Sequence, residues 1–331
     1  MNTRSILYCV WYTHARRAET LARELNAHLI FIYEARLRRF WFKPLRYLVQ
    51  AWQTWRLLER ERPAFIIVQS PPIFAPLAVA LWCKLRGRGR SAYIIDCHPG
   101  TFYHRQWHWA LPLLRLLARG AVVSLLCNAD AQHFLQRWQA SYLFLPDGLP
   151  DLSSHAGELG STGEQRIGVI SSFAYDEPML ELFEAARLTP RVTYYVTGNP
   201  QRSTPQILAC RPDNVVLTGF LHGDAYRGLL HNVQGLLVLS TMPYTLSCGA
   251  YEALSLARPT ILSDLPEQRQ LFAHGFVLVH NQPAEIASAV QQLLDDLDGF
   301  AERTRLLRAE YHSFRQPRLE QLVSFLQAPA V

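Results

Sequence analysis

The chain has 331 residues, 49% of them apolar, and a formal net charge of +6. This is enough apolar material for two ordinary cores, so two domains are expected. The six cysteines are scattered without a CxxC pair, mostly inside apolar runs, which argues against a structural zinc site and suits a reducing compartment. The excess of positive charge suits anionic lipid, phosphorylated substrates or nucleic acid. No recognition-helix motif, zinc finger or aromatic RNA-binding signature accompanies it, so nucleic acid is not expected as a partner. No signal peptide is visible, and the nearest approach to a membrane span, residues 65–83, is broken by Gln69, Ser70 and three prolines. The expectation is a cytoplasmic protein, soluble or peripheral to a membrane.

Residues 5–10 read as a buried strand, followed by a loop through Arg17 and a helix over 18–27, the opening of an α/β unit. Residues 28–33 form a second strand. Between Arg36 and Arg62 lie eight basic residues against Glu59 and Glu61, interleaved with Phe40, Trp41, Phe42, Tyr47, Trp52 and Trp55. Leu45, Leu48, Val49, Trp52 and Trp55 recur at helical spacing, so one face of this segment is apolar; it packs on a sheet or lies on an anionic membrane. A third strand starts at Phe65, a helix runs over 75–86, and a fourth strand, 92–98, ends at Pro99 and Gly100.

The carboxyl end of a strand in an open parallel sheet borders the ligand crevice, which places Asp96 and His98 at a site. His98 has the proton affinity of a general base near neutral pH, and Asp96 gains it if burial raises its pKa; alternatively Asp96 caps the following loop. Residues 106–117 suggest a second tryptophan-bearing amphipathic helix, 121–127 a strand, 130–139 a helix, and 143 onward a strand and turn. Residues 151–164, rich in Ser, Gly and acidic side chains, read as a linker.

Strands and helices alternate again beyond it. Strands are expected at 166–172, 192–197, 214–221, 236–239, 260–263 and 276–279. Helices are expected at 179–188, 224–232, from about Gly249 to Pro259, and at 265–275, 284–297, 301–312 and 314–328. The segment from Leu239 to Asp264 reads strand, loop, helix N-terminus, strand. The N–H groups and positive dipole end of such a helix favour a phosphate, with Gly249 allowing close approach to the backbone. Glu252, expected in the first turn, suits a ribose diol.

The run Tyr251-Glu-Ala-Leu-Ser-Leu-Ala-Arg-Pro-Thr resembles the second half of the Glu-x7-Glu motif of glycosyltransferase family 4, although Tyr244 stands where that family has its first glutamate. Residues 68–73, 81–86 and 93–98 are similar to the N-terminal domain of the chitobiosyldiphosphodolichol β-mannosyltransferases, and the run from Ser171 resembles the Ser-Ser/Thr, aromatic, Asp-Glu run of the same enzymes. The resemblance implies an α/β GT-B fold of two Rossmann-like domains facing across a cleft. It divides the chain into an acceptor domain over 1–150, the linker over 151–164, a nucleotide-sugar domain over 165–312 and a last helix over 313–331 crossing back.

It also implies transfer of a sugar from a UDP- or GDP-sugar, without a metal or other cofactor, to a saccharide or lipid-linked acceptor at the inner membrane face. Donor contacts then fall to Ser171, Ser172, Gly198, Thr218, Gly219, Phe220, Tyr244, Leu246, Ser247, Cys248, Gly249, Ala250 and Glu252. The acceptor falls to His14, Arg16 and Arg17, unless the two arginines only solvate a helix start. His98 and Asp96 carry the chemistry. The Glu252 region resembles retaining enzymes and the front half an inverting one. A nucleotide-sugar 2-epimerase and a non-catalytic GT-B subunit are the alternatives on the same fold.

Overall fold

The computed structural model describes residues 5–37, 39–153 and 164–327. Most of the expected linker, residues 154–163, lies outside the described residues. The chain divides into two compact units, one of Met1–Gly148 with Phe314–Val331, the other of Leu149–Ser313.

The first unit begins with β1 (Ile6–Val10), α1 (Arg16–Glu24), β2 (His28–Phe31) and α2 (Lys43–Glu61). It continues with β3 (Phe65–Ser70), α3 (Phe74–Leu85), β4 (Ala92–Cys97) and the short α4 (Pro99–Tyr103). It then adds α5 (Leu111–Gly120), β5 (Ser124–Leu126), α6 (Gln132–Trp138) and β6 (Tyr142–Phe144). The strands form one parallel sheet in the order β2-β1-β3-β4-β5-β6. Both faces are covered, which explains the unbroken apolar run of β3. Successive residues serve opposite cores: Leu7, Cys9, Ile66 and Val68 face one side, and Tyr8, Val10, Phe65 and Ile67 the other.

The second unit runs through β7 (Gln165–Val169), α7 (Met179–Leu188), β8 (Val192–Thr197), α8 (Pro205–Ala209), β9 (Val215–Gly219) and α9 (Gly223–Asn232). After these come β10 (Gly235–Val238), α10 (Cys248–Ser255), β11 (Thr260–Ser263), α11 (Pro266–Phe272), β12 (Val277–Val279) and α12 (Pro283–Asp295). Its parallel sheet has the order β12-β11-β10-β7-β8-β9, the doubly wound arrangement, whose order reverses between β7 and β10.

Two helix expectations need correction. Residues 106–117 are not one helix: a 3₁₀ segment spans Arg105–Ala110 and α5 starts afresh at Leu111, with Pro112 in its first turn, where a missing N–H leaves no bond unmade. The two C-terminal helices are a single helix, α13 (Leu297–Gln327), which carries Pro317 in its interior. An interior proline costs about 3 kcal/mol. Apolar anchors on either side outweigh it: Leu307 and Tyr311 in a core of the second unit, Leu322 and Leu326 in a core of the first.

Cys9, Cys83, Cys97 and Cys127 are buried, whereas Cys210 and Cys248 are exposed. Burial pushes the thiols of Cys9 and Cys83 up to about 12 and suppresses thiolate at neutral pH. Titration with an aromatic disulfide at pH 8 is therefore expected to find two fast thiols in the native protein and all six in denaturant. A third fast thiol in the native state overturns this assignment.

Candidate active site

In the first unit the reversal of strand order falls between β1 and β3, and polar groups gather at the carboxyl ends of β1, β4 and β6. Arg17, in the first turn of α1, is buried. Its Nε donates to Asp96 Oδ1 at 2.8 Å, and its Nη1 donates to Asp147 Oδ1 at 2.7 Å and to the Leu145 carbonyl at 2.8 Å. Tyr8 donates its hydroxyl to Asp96 Oδ2 at 2.5 Å.

Burial alone pushes the Asp96 carboxyl up, but the Arg17 guanidinium, with smaller help from His98 and Tyr8, outweighs it and holds Asp96 well below the ordinary carboxylate range. Burial and the Asp96 charge together push the Tyr8 phenol up. Two expectations fail here. The lowered proton affinity of Asp96 does not suit a general base, and Arg17 is not a solvated helix start, since it is buried and paired with Asp96 and Asp147. His14 is exposed and pairs with Glu19 at 2.7 Å, while Arg16 is half-buried.

His98 follows β4 directly, and its backbone N–H donates to the Ser70 carbonyl at 2.9 Å. Its Nε2 lies 3.6 Å from Asp96 Oδ2, beyond hydrogen-bond range, and has no hydrogen-bond partner among the described residues. The nitrogen is buried with its hydrogen bond unmade; an imidazole nitrogen beside a fixed carboxylate accepts a proton from a hydroxyl only where one reaches it.

In the second unit the loops after β7 and β10 flank the reversal point. They are laced together by Asp176, which accepts from Ser240 Oγ at 2.8 Å and, through its carbonyl, from the Thr241 N–H at 2.7 Å. Ser240 is tied to the next strands as well: its N–H donates to Ser263 Oγ at 2.8 Å, and its carbonyl accepts from Asn281 Nδ2 at 3.0 Å. The loop after β7 wraps around Glu177. This carboxylate accepts from Ser171 Oγ at 2.5 Å, Ser172 Oγ at 2.9 Å, Ser172 N–H at 3.0 Å and Phe173 N–H at 2.9 Å. The hydroxyls expected to meet a diphosphate are thus engaged by the chain's own anion. Gly198 closes this region: it has φ of +99°, and a Cβ there would come within 2.4 Å of the Ser171 carbonyl oxygen.

α10 starts at Cys248 with Ser247 as its cap, one residue earlier than expected, so Glu252 lies beyond the first turn. Glu252 is buried and accepts a hydrogen bond from the Tyr226 hydroxyl of α9. Gly249 has a packing role, since a Cβ there would meet Ile170 and Val238 at 3.0–3.1 Å. The Ala250 N–H is spent on the Ser247 carbonyl at 3.0 Å. Ser247 Oγ accepts from Gln268 at 3.4 Å, and Leu246 packs against a core.

Tyr244 takes a left-handed backbone, with φ of +64°. Thr218 Oγ1 bonds the Val196 carbonyl at 3.2 Å, Gly219 has φ of +73° with open space where a Cβ would stand, and Phe220 is exposed with its ring edge-on to His222. Among the described residues, no group of three or more His, Cys, Asp or Glu side chains is arranged to hold a metal ion.

Sequence reasoning missed Tyr8, Asp147, Asp176, Glu177 and Tyr226. Asp147 lies in a Pro-Asp-Gly turn and Glu177 in an Asp-Glu-Pro helix start, both of which read as ordinary punctuation.

Residues 164–296 match the family model described as group 1 glycosyl transferases. Comparison with curated protein sequences gives no match. Among solved structures, the chain is similar to Anabaena Alr3699/HepE, determined in complex with UDP and glucose, at 13% identity and a TM-score of 0.74 over 98% of this chain and all of that one. It is also similar to a glycosyltransferase from Rickettsia africae, at 11% identity and a TM-score of 0.72 over 99% and 98% of the two chains. Sucrose-phosphate synthase from Thermosynechococcus elongatus gives 14% identity and a TM-score of 0.70, with 98% of each chain covered. The fold is therefore the GT-B fold.

The Arg17–Asp96 pair yields a stability prediction. Removing one partner of a buried ion pair costs about 3–5 kcal/mol, because the other charge is stranded. Arg17→Met and Asp96→Asn are each expected to lower the melting temperature strongly, and the double variant by less than the sum. Since the folded pKa of Asp96 is depressed, its contribution is present above about pH 4, the unfolded carboxylate value, and is lost as pH falls toward the folded one. Asp96→Asn should accordingly flatten the acid limb of the stability profile. Additive effects of the two substitutions, or an unchanged acid limb, count against the ion pair as the source.

Proposed function

We propose that the protein is a glycosyltransferase that moves a sugar from a nucleotide diphosphate sugar to an acceptor hydroxyl. The observation that carries this reading is the position of the loop preceding α10 and of Glu252. Both belong to the segment that matches group 1 glycosyl transferases, and the loop follows the strand at which a doubly wound sheet reverses its order. In this reading the second unit holds the donor: Glu252, steadied by Tyr226, takes the ribose diol, and the backbone around Leu246–Cys248 takes the diphosphate. UDP is the first candidate nucleotide, because a similar structure holds it, with GDP next. In the first unit His98 Nε2 accepts the proton of the acceptor hydroxyl, and Asp96 fixes the local field. A lipid-linked saccharide on the cytoplasmic side of a membrane is the preferred acceptor, since the first unit is basic and rich in exposed aromatic residues. No metal is assigned to the reaction; dipoles and side chains stabilise the leaving diphosphate. Retention of anomeric configuration is the outcome favoured by the Glu252 motif, whereas inversion fits His98 as base, so the anomeric proton coupling of the product decides between them.

The test is thermal stabilisation by UDP, GDP, ADP, dTDP and CMP. A ligand at about a hundred times its dissociation constant stabilises the fold by about 2.7 kcal/mol. One diphosphate is expected to raise the melting temperature of the wild type, and Glu252→Ala to abolish the shift. Tyr226→Phe, which leaves the carboxylate unsteadied, should weaken binding by about 1 kcal/mol, roughly fivefold. If no nucleotide shifts the wild type, or Glu252→Ala responds fully, the donor assignment falls. If the protein binds the nucleotide but turns over no sugar donor with any acceptor, the enzymatic part falls.

A further inference from the structure

A helix packed on a sheet turns its apolar stripe inward and a polar face to water. α2 is apolar on both sides. Its inner side buries Leu57 and Leu58 with Gln50, whose Nε2 donates to the Ile32 carbonyl, and Thr54, whose hydroxyl donates to the Gln50 carbonyl. On the opposite side Leu45, Leu48 and Trp52 follow helical spacing, with Trp41 a turn earlier, and all four are exposed. The exposed apolar surface continues onto neighbouring helices. A groove of about 450 Å³ between α2 and α3 has Lys43 as the only charged residue lining it. A second groove of about 750 Å³ between α3 and α5 shares Leu77 and Leu81 with the first and reaches Leu116. The Trp109 ring lies 6.1 Å from that of Phe74, which lines the first groove. Trp41, Leu48, Trp52, Trp109 and Leu116 each leave 58–85% of their surface exposed, far more than a core-facing residue does.

The charge around this face has one sign. No acidic residue occurs from Ala35 to Leu58, and between Glu61 and Asp130 the only one is Asp96, which is buried against Arg17. Glu59 pairs with Arg86, and Glu61 with Arg60. Arginines also stack on aromatic rings of α2, Arg56 at 4.8 Å from the ring centre of the exposed Trp52 and Arg46 at 5.5 Å from that of the half-buried Tyr47. Tryptophans and leucines set among unopposed arginines match an anionic bilayer interface, where indoles sit at headgroup depth and guanidinium groups meet phosphates. Among the described residues, no helix is long and apolar enough to cross a membrane.

We propose that the outer stripe of α2, with the grooves on either side of α3, is a docking face that lays the first unit on a bilayer containing anionic lipid. It deepens the lipid-linked acceptor part of the proposed function and does not depend on the donor site.

The test is flotation with phosphatidylcholine vesicles, with and without phosphatidylglycerol. The protein is expected to float with the anionic vesicles at low salt and to be released at high salt. Brominated lipid should quench its tryptophan emission. Leu48→Glu, Trp52→Glu and Leu116→Glu change exposed side chains, and each should lower vesicle affinity by about tenfold or more while leaving the melting temperature unchanged. Equal binding to neutral vesicles, retention by the three variants, or no flotation at all overturns the proposal. A wild-type dimer that Leu48→Glu converts to monomer, without vesicle binding, assigns the face to a second copy instead. Nucleotide stabilisation, measured on the same variants, is expected to be unchanged. A wild type that binds nucleotide but no vesicles therefore sinks only the docking face, and a wild type that binds anionic vesicles but no nucleotide sinks only the donor reading.

Discussion

A guanidinium shut away from water under the strand ends of the first sheet must be neutralised where it lies, because an unpaired buried charge costs several kcal/mol. Arg17 meets this requirement through Asp96 at the end of β4 and through Asp147 and a carbonyl just past β6. A planar fork with fixed donor directions can reach three acceptors at once, which a lysine in the same place could not. The arrangement joins α1, β4 and the segment after β6, and it fixes the strand from which His98 emerges. The position of the His98 imidazole thus rests on a charge balance two residues away, with no direct hydrogen bond between Asp96 and His98.

The second unit secures its site by different means. Its loops are held by hydroxyl and carboxylate bonds among Asp176, Ser240, Ser263 and Asn281, and by glycines that let strand ends and helices approach. The absent side chain of Gly249 leaves room for Ile170 and Val238, which seats α10 close against the sheet. Tyr244 lies in the left-handed region, a conformation that bulky residues adopt only when their surroundings require it. The proteins of similar fold share only 11–14% of this sequence, so what carries over is the placement of loops at the strand ends; the side chains on those loops belong to this chain.

The order of elements was legible in the sequence because a strand buried on both faces leaves an uninterrupted apolar run and a packed helix leaves a 3.6-residue rhythm. The exposed stripe of α2 was visible for the same reason, although periodicity alone could not tell its inner from its outer side. The ion pairs of Arg17 were not legible, since its partners lie 79 and 130 residues away and its neighbours in the chain are polar. Nor was the role of Glu177: a carboxylate just ahead of a helix reads as a favourable charge at the N-terminus, whereas here it fills a ring of donors in the preceding loop. The offset of Glu252 arose at a helix start, where the boundary depends on backbone bonding and not on residue type.

The single helix α13 has a consequence for how the protein is made. Its last turns bring Leu322 and Leu326 into a core of the first unit, and Arg315 pairs with Glu24 at 2.6 Å and bonds the Pro146 carbonyl. The first unit is therefore assembled from two stretches separated by the whole second unit. At ribosomal speeds, more than 160 residues must be added after Gly148 before the completing piece exists, on the order of ten seconds or more. During that interval the nascent first unit carries an open apolar seam where Leu322 and Leu326 will sit, and Glu24 waits without its arginine. For that interval the seam is open to other chains, beside the α2 stripe that is exposed from the start.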